Sequence, residues 1–156
     1  MTAFLLSVHV LAAILTVGPV AVAASMFPPA WRAAAQDPAN ARKAAAAAVL
    51  HRVTRVYATI GAVVPVFGLA TGASLGVLGD AWLIASMVLT AGAAAVLIAL
   101  VLPAQRRALA DLGAAAEEDG AAPPSGRLAM HAGVFNLLWA IVVVLMIYRP
   151  GSTTGV

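Results

Sequence analysis

The sequence predicts an all-α fold: an integral membrane, antiparallel four-helix bundle. Three observations lead there. The chain is 63% hydrophobic and only 10% charged, whereas an ordinary soluble domain carries about 25% charged residues. With a mean hydropathy of +0.99, it could not clothe a water-facing surface, and lipid is its natural solvent. The apolar residues gather into four stretches, each long enough to cross roughly 30 Å of hydrocarbon at about 1.5 Å per residue. Finally, eight of the nine Lys and Arg residues lie between or beside these stretches on one side.

The spans fall at about 4–27, 53–78, 81–102 and 128–148, joined by polar segments at 28–52 and 103–127. All four belong to a single membrane domain covering 1–156. The first stretch lacks a basic leading region and exceeds the 7–15 apolar residues typical of a signal peptide, so it reads as a span. Pro28-Pro29 marks its end. Asp37-Pro38 has the pattern of an N-cap followed by proline at the first helical position, which starts the second helix well before its membrane entry. Asp80 is placed to cap the third helix across the short turn Gly79-Asp80, and Ser125 to cap the fourth. The stretch QRRALADLGAAAEEDGAAPPSGR after span three reads as a helical extension followed by a polar loop.

Arg32, Arg42, Lys43, Arg52 and Arg55 accompany the first polar segment, and Arg106, Arg107 and Arg127 the second. Only Arg149 lies opposite. By the positive-inside rule both segments are cytoplasmic, and the N- and C-termini face outward from the cell membrane. The net charge of +3 then fits contact with anionic lipid head groups in the bilayer, with no nucleic-acid partner. The absence of cysteine excludes disulfides, thiolate metal sites and cysteine nucleophiles. There is no Walker loop or HExxH, so no catalytic motif is found. A transporter is disfavoured because no charged residue lies deep in any span.

Lipid tails are as apolar as leucine, so helices associate through close backbone approach and buried polar contacts. GLATGASLG places Gly68, Gly72 and Gly76 on one helical face, extended by Gly61 and Pro65. Asn136 lies near the middle of span four and needs a hydrogen-bond partner there. These five residues, Gly61, Gly68, Gly72, Gly76 and Asn136, are the candidate packing positions. Pro65 and Pro19 are expected to kink their helices.

Three histidines remain. His51 and His131 fall at the basic edge, where an interfacial role suffices, and two histidines alone make an incomplete metal site. His9 lies within the outer half of span one. A lipid-facing imidazole would leave its nitrogens unsatisfied, so His9 is expected to face the bundle interior. Its partner should lie at similar depth: Thr71 or Ser74, Ser86, Met87 or Thr90, or Met146. A hydroxyl partner makes His9 structural. A thioether from Met87 or Met146 instead makes a His/Met pair of the kind that binds haem.

The stretches HVLAAILTVG, GLATG and NLLWAIVVVLMIYRPG resemble an actinobacterial-type family of small predicted integral membrane proteins. They resemble more distantly the copper-resistance D-like membrane domains and the four-helix membrane protoporphyrinogen oxidases. In the oxidase-like relatives the first-span histidine precedes Trp-Gly-Gly and is implicated in haem binding, which implies a haem-ligand role for His9. The matching stretch Thr16-Val17-Gly18-Pro19 keeps one glycine and has no tryptophan. Two functions are therefore expected: a structural or accessory subunit forming a homo-oligomer or joining a larger membrane complex, or a haem- or metal-associated redox protein using His9.

Overall fold

The computed structural model describes residues 2–115 and 125–151. Its helices are α1 (Thr2–Ala35), α2 (Ala41–Ile60), α3 (Val63–Leu75), α4 (Ala81–Val96), a π-helical turn (Leu97–Val101), α5 (Leu102–Ala115) and α6 (Ser125–Tyr148). The helices α2 and α3 run on as one rod, as do α4, the π turn and α5. Four rods long and apolar enough to cross a membrane result, at 34, 35, 33 and 23 residues. The rod α1 packs against α2, α3 and α6, while α4 packs on α6.

At 34, 35 and 33 residues, the first three rods exceed the roughly 20 residues a bilayer needs by about 14 on average, or about 20 Å. Toward the basic end α1, α2 and α5 pack together as a three-helix stub. The stub has its own core of Phe27, Trp31, Ala47 and Ala108, bordered by Leu50, Leu109 and Leu112. The buried Trp31 indole Nε1–H donates to Ala108 O at 2.8 Å, tying α1 to α5. The second core, nearer the middle of the rods, holds Val20, Ala24, Ala93, Leu97, Ala132 and Phe135.

Prolines explain where the rods bend. Pro65 has no N–H for the Gly61 carbonyl, and the rod breaks at Gly61-Ala62, where Val64 N–H donates to Gly61 O instead at 3.0 Å. Pro103 has no N–H for the Ala99 carbonyl, and the turn before it widens so that Leu102 N–H donates to Leu97 O. Pro19, Pro28 and Pro29 all lie inside α1. The helix therefore passes through Pro28-Pro29, the pair taken as the end of the first span, because buried Phe27 and Trp31 hold the next turns against α2 and α5.

Two caps differ from their sequence patterns. α2 starts at Ala41 with Asn40 at the N-cap position. Asp37 instead ties the turn, accepting from Asn40 Nδ2 at 3.2 Å and from Lys43 Nζ at 3.0 Å. These two donors hold its carboxyl below the usual carboxylate range, the Lys43 bond contributing most. Whatever stability this exposed pair adds is present above the ordinary aspartate pKa and lost as pH falls through the lowered folded value. Asp80 occupies the N-cap position of α4 but makes no side-chain cap bond; its Oδ2 accepts from Trp82 Nε1–H at 3.0 Å. Arg149 lies over the Trp82 ring at 5.6 Å and closes the same end of the bundle.

The stub core leads to a quantitative expectation. Trp31→Ala removes a buried indole and leaves the Ala108 carbonyl unpaired, at a cost of about 3–5 kcal/mol. Trp31→Phe keeps most of the volume and loses chiefly the hydrogen bond, about 1 kcal/mol. Thermal unfolding in detergent followed by circular dichroism should rank wild type, Trp31→Phe and Trp31→Ala in that order.

Candidate functional site

His9 sits on α1 at the seam with α3. Its Nδ1–H donates to the Val64 carbonyl at 3.0 Å. A carbonyl only accepts, so a neutral His9 carries its proton on Nδ1 and a lone pair on Nε2. The ring fits because position 68 is glycine: a Cβ there would lie 2.9 Å from His9 Cε1 and 3.3 Å from Nδ1. The partner of His9 is therefore a backbone carbonyl, nearer the basic end than the Thr71 and Ser74 hydroxyls. Those two bond within their own helix, Thr71 to Phe67 O and Ser74 to Thr71 O. Ser86 does the same, to Trp82 O at 2.8 Å. Met87 and Met146 are half-buried on α4 and α6.

The other packing candidates occupy distinct environments. A Cβ on Gly72 would meet Leu83 Cδ2 at 2.9 Å, so this glycine admits the α4 hairpin. A Cβ on Gly61 would meet Tyr57 O at 3.0 Å within its own rod and approach Thr16 Oγ1 at 3.8 Å. Gly76 turns away from the packing face. It ends α3 in the left-handed conformation, φ 72°, with nothing near its Cβ position, as the C-terminal residue of a helix often must. Asn136 Nδ2 donates to Ser25 Oγ on α1 at 2.8 Å, and its Oδ1 has no partner.

A second polar cluster lies toward the basic end. Gln105, at 2% exposed, is buried on α5, and His51 Nδ1–H donates to its Oε1 at 3.0 Å. Gln105 and His131 also line one narrow crevice with Ala24, Pro28 and Val101. His131 Nδ1 is buried without a partner. The two histidines at the helix feet thus share Gln105 as a neighbour, and no group of three His, Asp or Glu able to hold a metal occurs among the described residues. Gln105 and Ser25 were not singled out in the sequence. The available signal for Gln105 was Pro103, which marks a disturbed turn just before an amide embedded in an otherwise helical apolar pattern.

A four-rod helical bundle, with spans clasped by an imidazole and a carboxamide, defines the class: a polytopic membrane protein. A family profile described as "Predicted integral membrane protein (DUF2269)" matches residues 3–150, and the chain belongs to that family. No curated protein and no solved structure matched the chain.

The His9 seam can be tested by a double-mutant cycle. Gly68→Ala drives a methyl into the imidazole and should destabilise by about 1–3 kcal/mol. In a His9→Ala background the same change should cost much less, giving a coupling of at least about 0.5 kcal/mol. Gly72→Ala meets the flexible ends of Leu83 and Leu78 and should be milder than Gly68→Ala. Additive effects of Gly68→Ala and His9→Ala in detergent melts would contradict the contact.

Proposed function

We propose that the protein is a structural or accessory subunit of the cell membrane, one that packs with itself or with a larger membrane complex. The observation that carries this reading is the three-helix stub. Three rods are about 20 Å longer than a bilayer requires, and toward their basic end they bury an apolar core. A preformed helical body on four anchoring spans is suited to holding other proteins at the membrane. The two imidazoles with assigned hydrogen bonds fit the same reading, since each ties one rod to another.

The charge pattern orients this body. Arg32, Arg52, Arg106, Arg107 and Arg127 are exposed at or beside the stub. The positive-inside rule then places the stub in the cytoplasm and both termini outside. With the chain's lack of cysteine, Asp80→Cys should react with an impermeant maleimide on intact cells and Gln36→Cys only after permeabilisation. Labelling of both from one side would overturn this topology.

A second reading rests on one observation. The Val64 carbonyl fixes the His9 tautomer and leaves Nε2 with its lone pair, the arrangement in which imidazoles ligate metals. The residues at hand supply one ligand to a haem or metal ion, which would bring redox chemistry if bound; Met87 and Met146 stand on α4 and α6, away from the α3 helix that seats the ring. The two readings part on one preparation. The accessory reading expects a particle larger than the 15.7 kDa chain in native gels of mild-detergent extracts, with no Soret absorption. A monomer with a Soret band that vanishes in His9→Ala would overturn it in favour of the second.

A further inference from the structure

The seam between α1 and α6 carries polar groups on the outside of the bundle. Ser25 is exposed, and Asn136 beside it is half-buried. At about 1.5 Å per residue, Ser25 lies about 10 Å from Arg32 along α1, and Asn136 about 14 Å from Arg127 along α6. Both are therefore at hydrocarbon depth. Ser25 accepts the Asn136 amide through Oγ, so its O–H is left to donate, and no acceptor for it occurs among the described residues. Its backbone carbonyl lacks the usual helical donor because residue 29 is proline. One exposed residue thus carries both a free O–H donor and a carbonyl released from its helical partner, at a depth where solvent satisfies neither.

The surroundings differ from the filled glycine face of α3. Gly133, one turn before Asn136, and Gly18, two turns before Ser25, are exposed, and a Cβ on either would meet nothing within 4 Å. Ala129 and Ala140 extend this exposed line of small residues along α6. Glycine weakens a helix interior, and no described residue uses the room these two provide.

We propose that this seam is a homodimer interface, occupied by the α1/α6 seam of a second copy. Two copies insert in the same orientation, so their axis of symmetry runs along the membrane normal and the contact is isologous. The exposed groups suit that symmetry. Each copy offers one hydroxyl donor and one released carbonyl at the same depth, so the two can satisfy each other reciprocally. Gly133 and Ala140 let the backbones approach closely enough for it. The proposal rests on the self-packing form of the accessory reading and assigns it a surface.

Single-cysteine variants in the cysteine-free chain test it in native membranes under mild oxidation. Gly133→Cys and Val22→Cys should cross-link to a band at twice the 15.7 kDa chain mass. Val88→Cys, 66% exposed on α4, should not. Cross-linking through position 88 alone, or through none of the three, would overturn the interface. Gly133→Leu should leave the monomer fold intact, because the added side chain enters open space. In lipid-dilution energy transfer on vesicles it should weaken dimerisation at least tenfold, as should Ser25→Ala combined with Asn136→Leu. Undiminished transfer in Gly133→Leu overturns the proposal. A Soret band in a protein that still cross-links at 133 would remove the accessory reading and leave the interface standing.

Discussion

Hydrocarbon gives two apolar helices no reason to prefer one another over lipid, so whatever holds this bundle together must be polar or must depend on close approach. The described contacts follow that constraint. Inside the spans, α1 reaches α3 through an imidazole on a carbonyl and α6 through a carboxamide on a hydroxyl. Toward the basic end the helices are joined by an apolar core with an indole at its centre. α1 takes part in all of these contacts and is the helix they share.

The prolines and the polar side chains are related. A proline in a helix removes one N–H and leaves a carbonyl four residues earlier without its donor. In water that carbonyl is hydrated; in a membrane it needs an internal answer. The break at Gly61-Ala62 resolves the Pro65 defect by a shorter turn, and the π turn before Pro103 resolves its own by a wider one. The irregular turns also shift the residues that follow. Val64 presents its carbonyl to His9 just beyond the first irregularity, and Gln105 lies buried against His51 just beyond the second. Polar clasps and backbone defects coincide because both concern the same scarce resource, hydrogen-bond partners in an apolar medium.

Much of this was legible in the sequence. Composition and apolar run length are sufficient for four spans, because a helix of about 20 apolar residues has few other destinations. The hairpin at Gly79-Asp80 follows from the shortness of its turn. The interior direction of His9 follows from the cost of exposing an imidazole to lipid. Its partner did not, for a physical reason: the acceptor is a backbone carbonyl, and every residue has one, so no side-chain pattern singles out Val64. The stub was similarly obscured. Alanine-rich and arginine-bearing segments such as 41–55 look like polar loop beside strongly apolar spans, yet alanine is the best helix former. Trp31 and Phe27, one turn apart, were the sign that those segments bury a core.

Glycine marks the clearest division between what the chain does for itself and what it leaves open. At position 68 the missing side chain is replaced by the His9 ring, and at position 72 by Leu83. In both cases the energetic weakness of glycine in a helix is offset by a contact the chain itself supplies. Gly76 is also accounted for, since its backbone adopts a conformation that disfavours other residues. Gly18 and Gly133 have neither explanation. Their backbones are ordinary helix, their Cβ positions are empty, and they stand beside exposed Ser25 and half-buried Asn136. The other glycines of the α3 packing face are filled, whereas the room at these two positions is left open by the described residues and lies on the outside of the bundle.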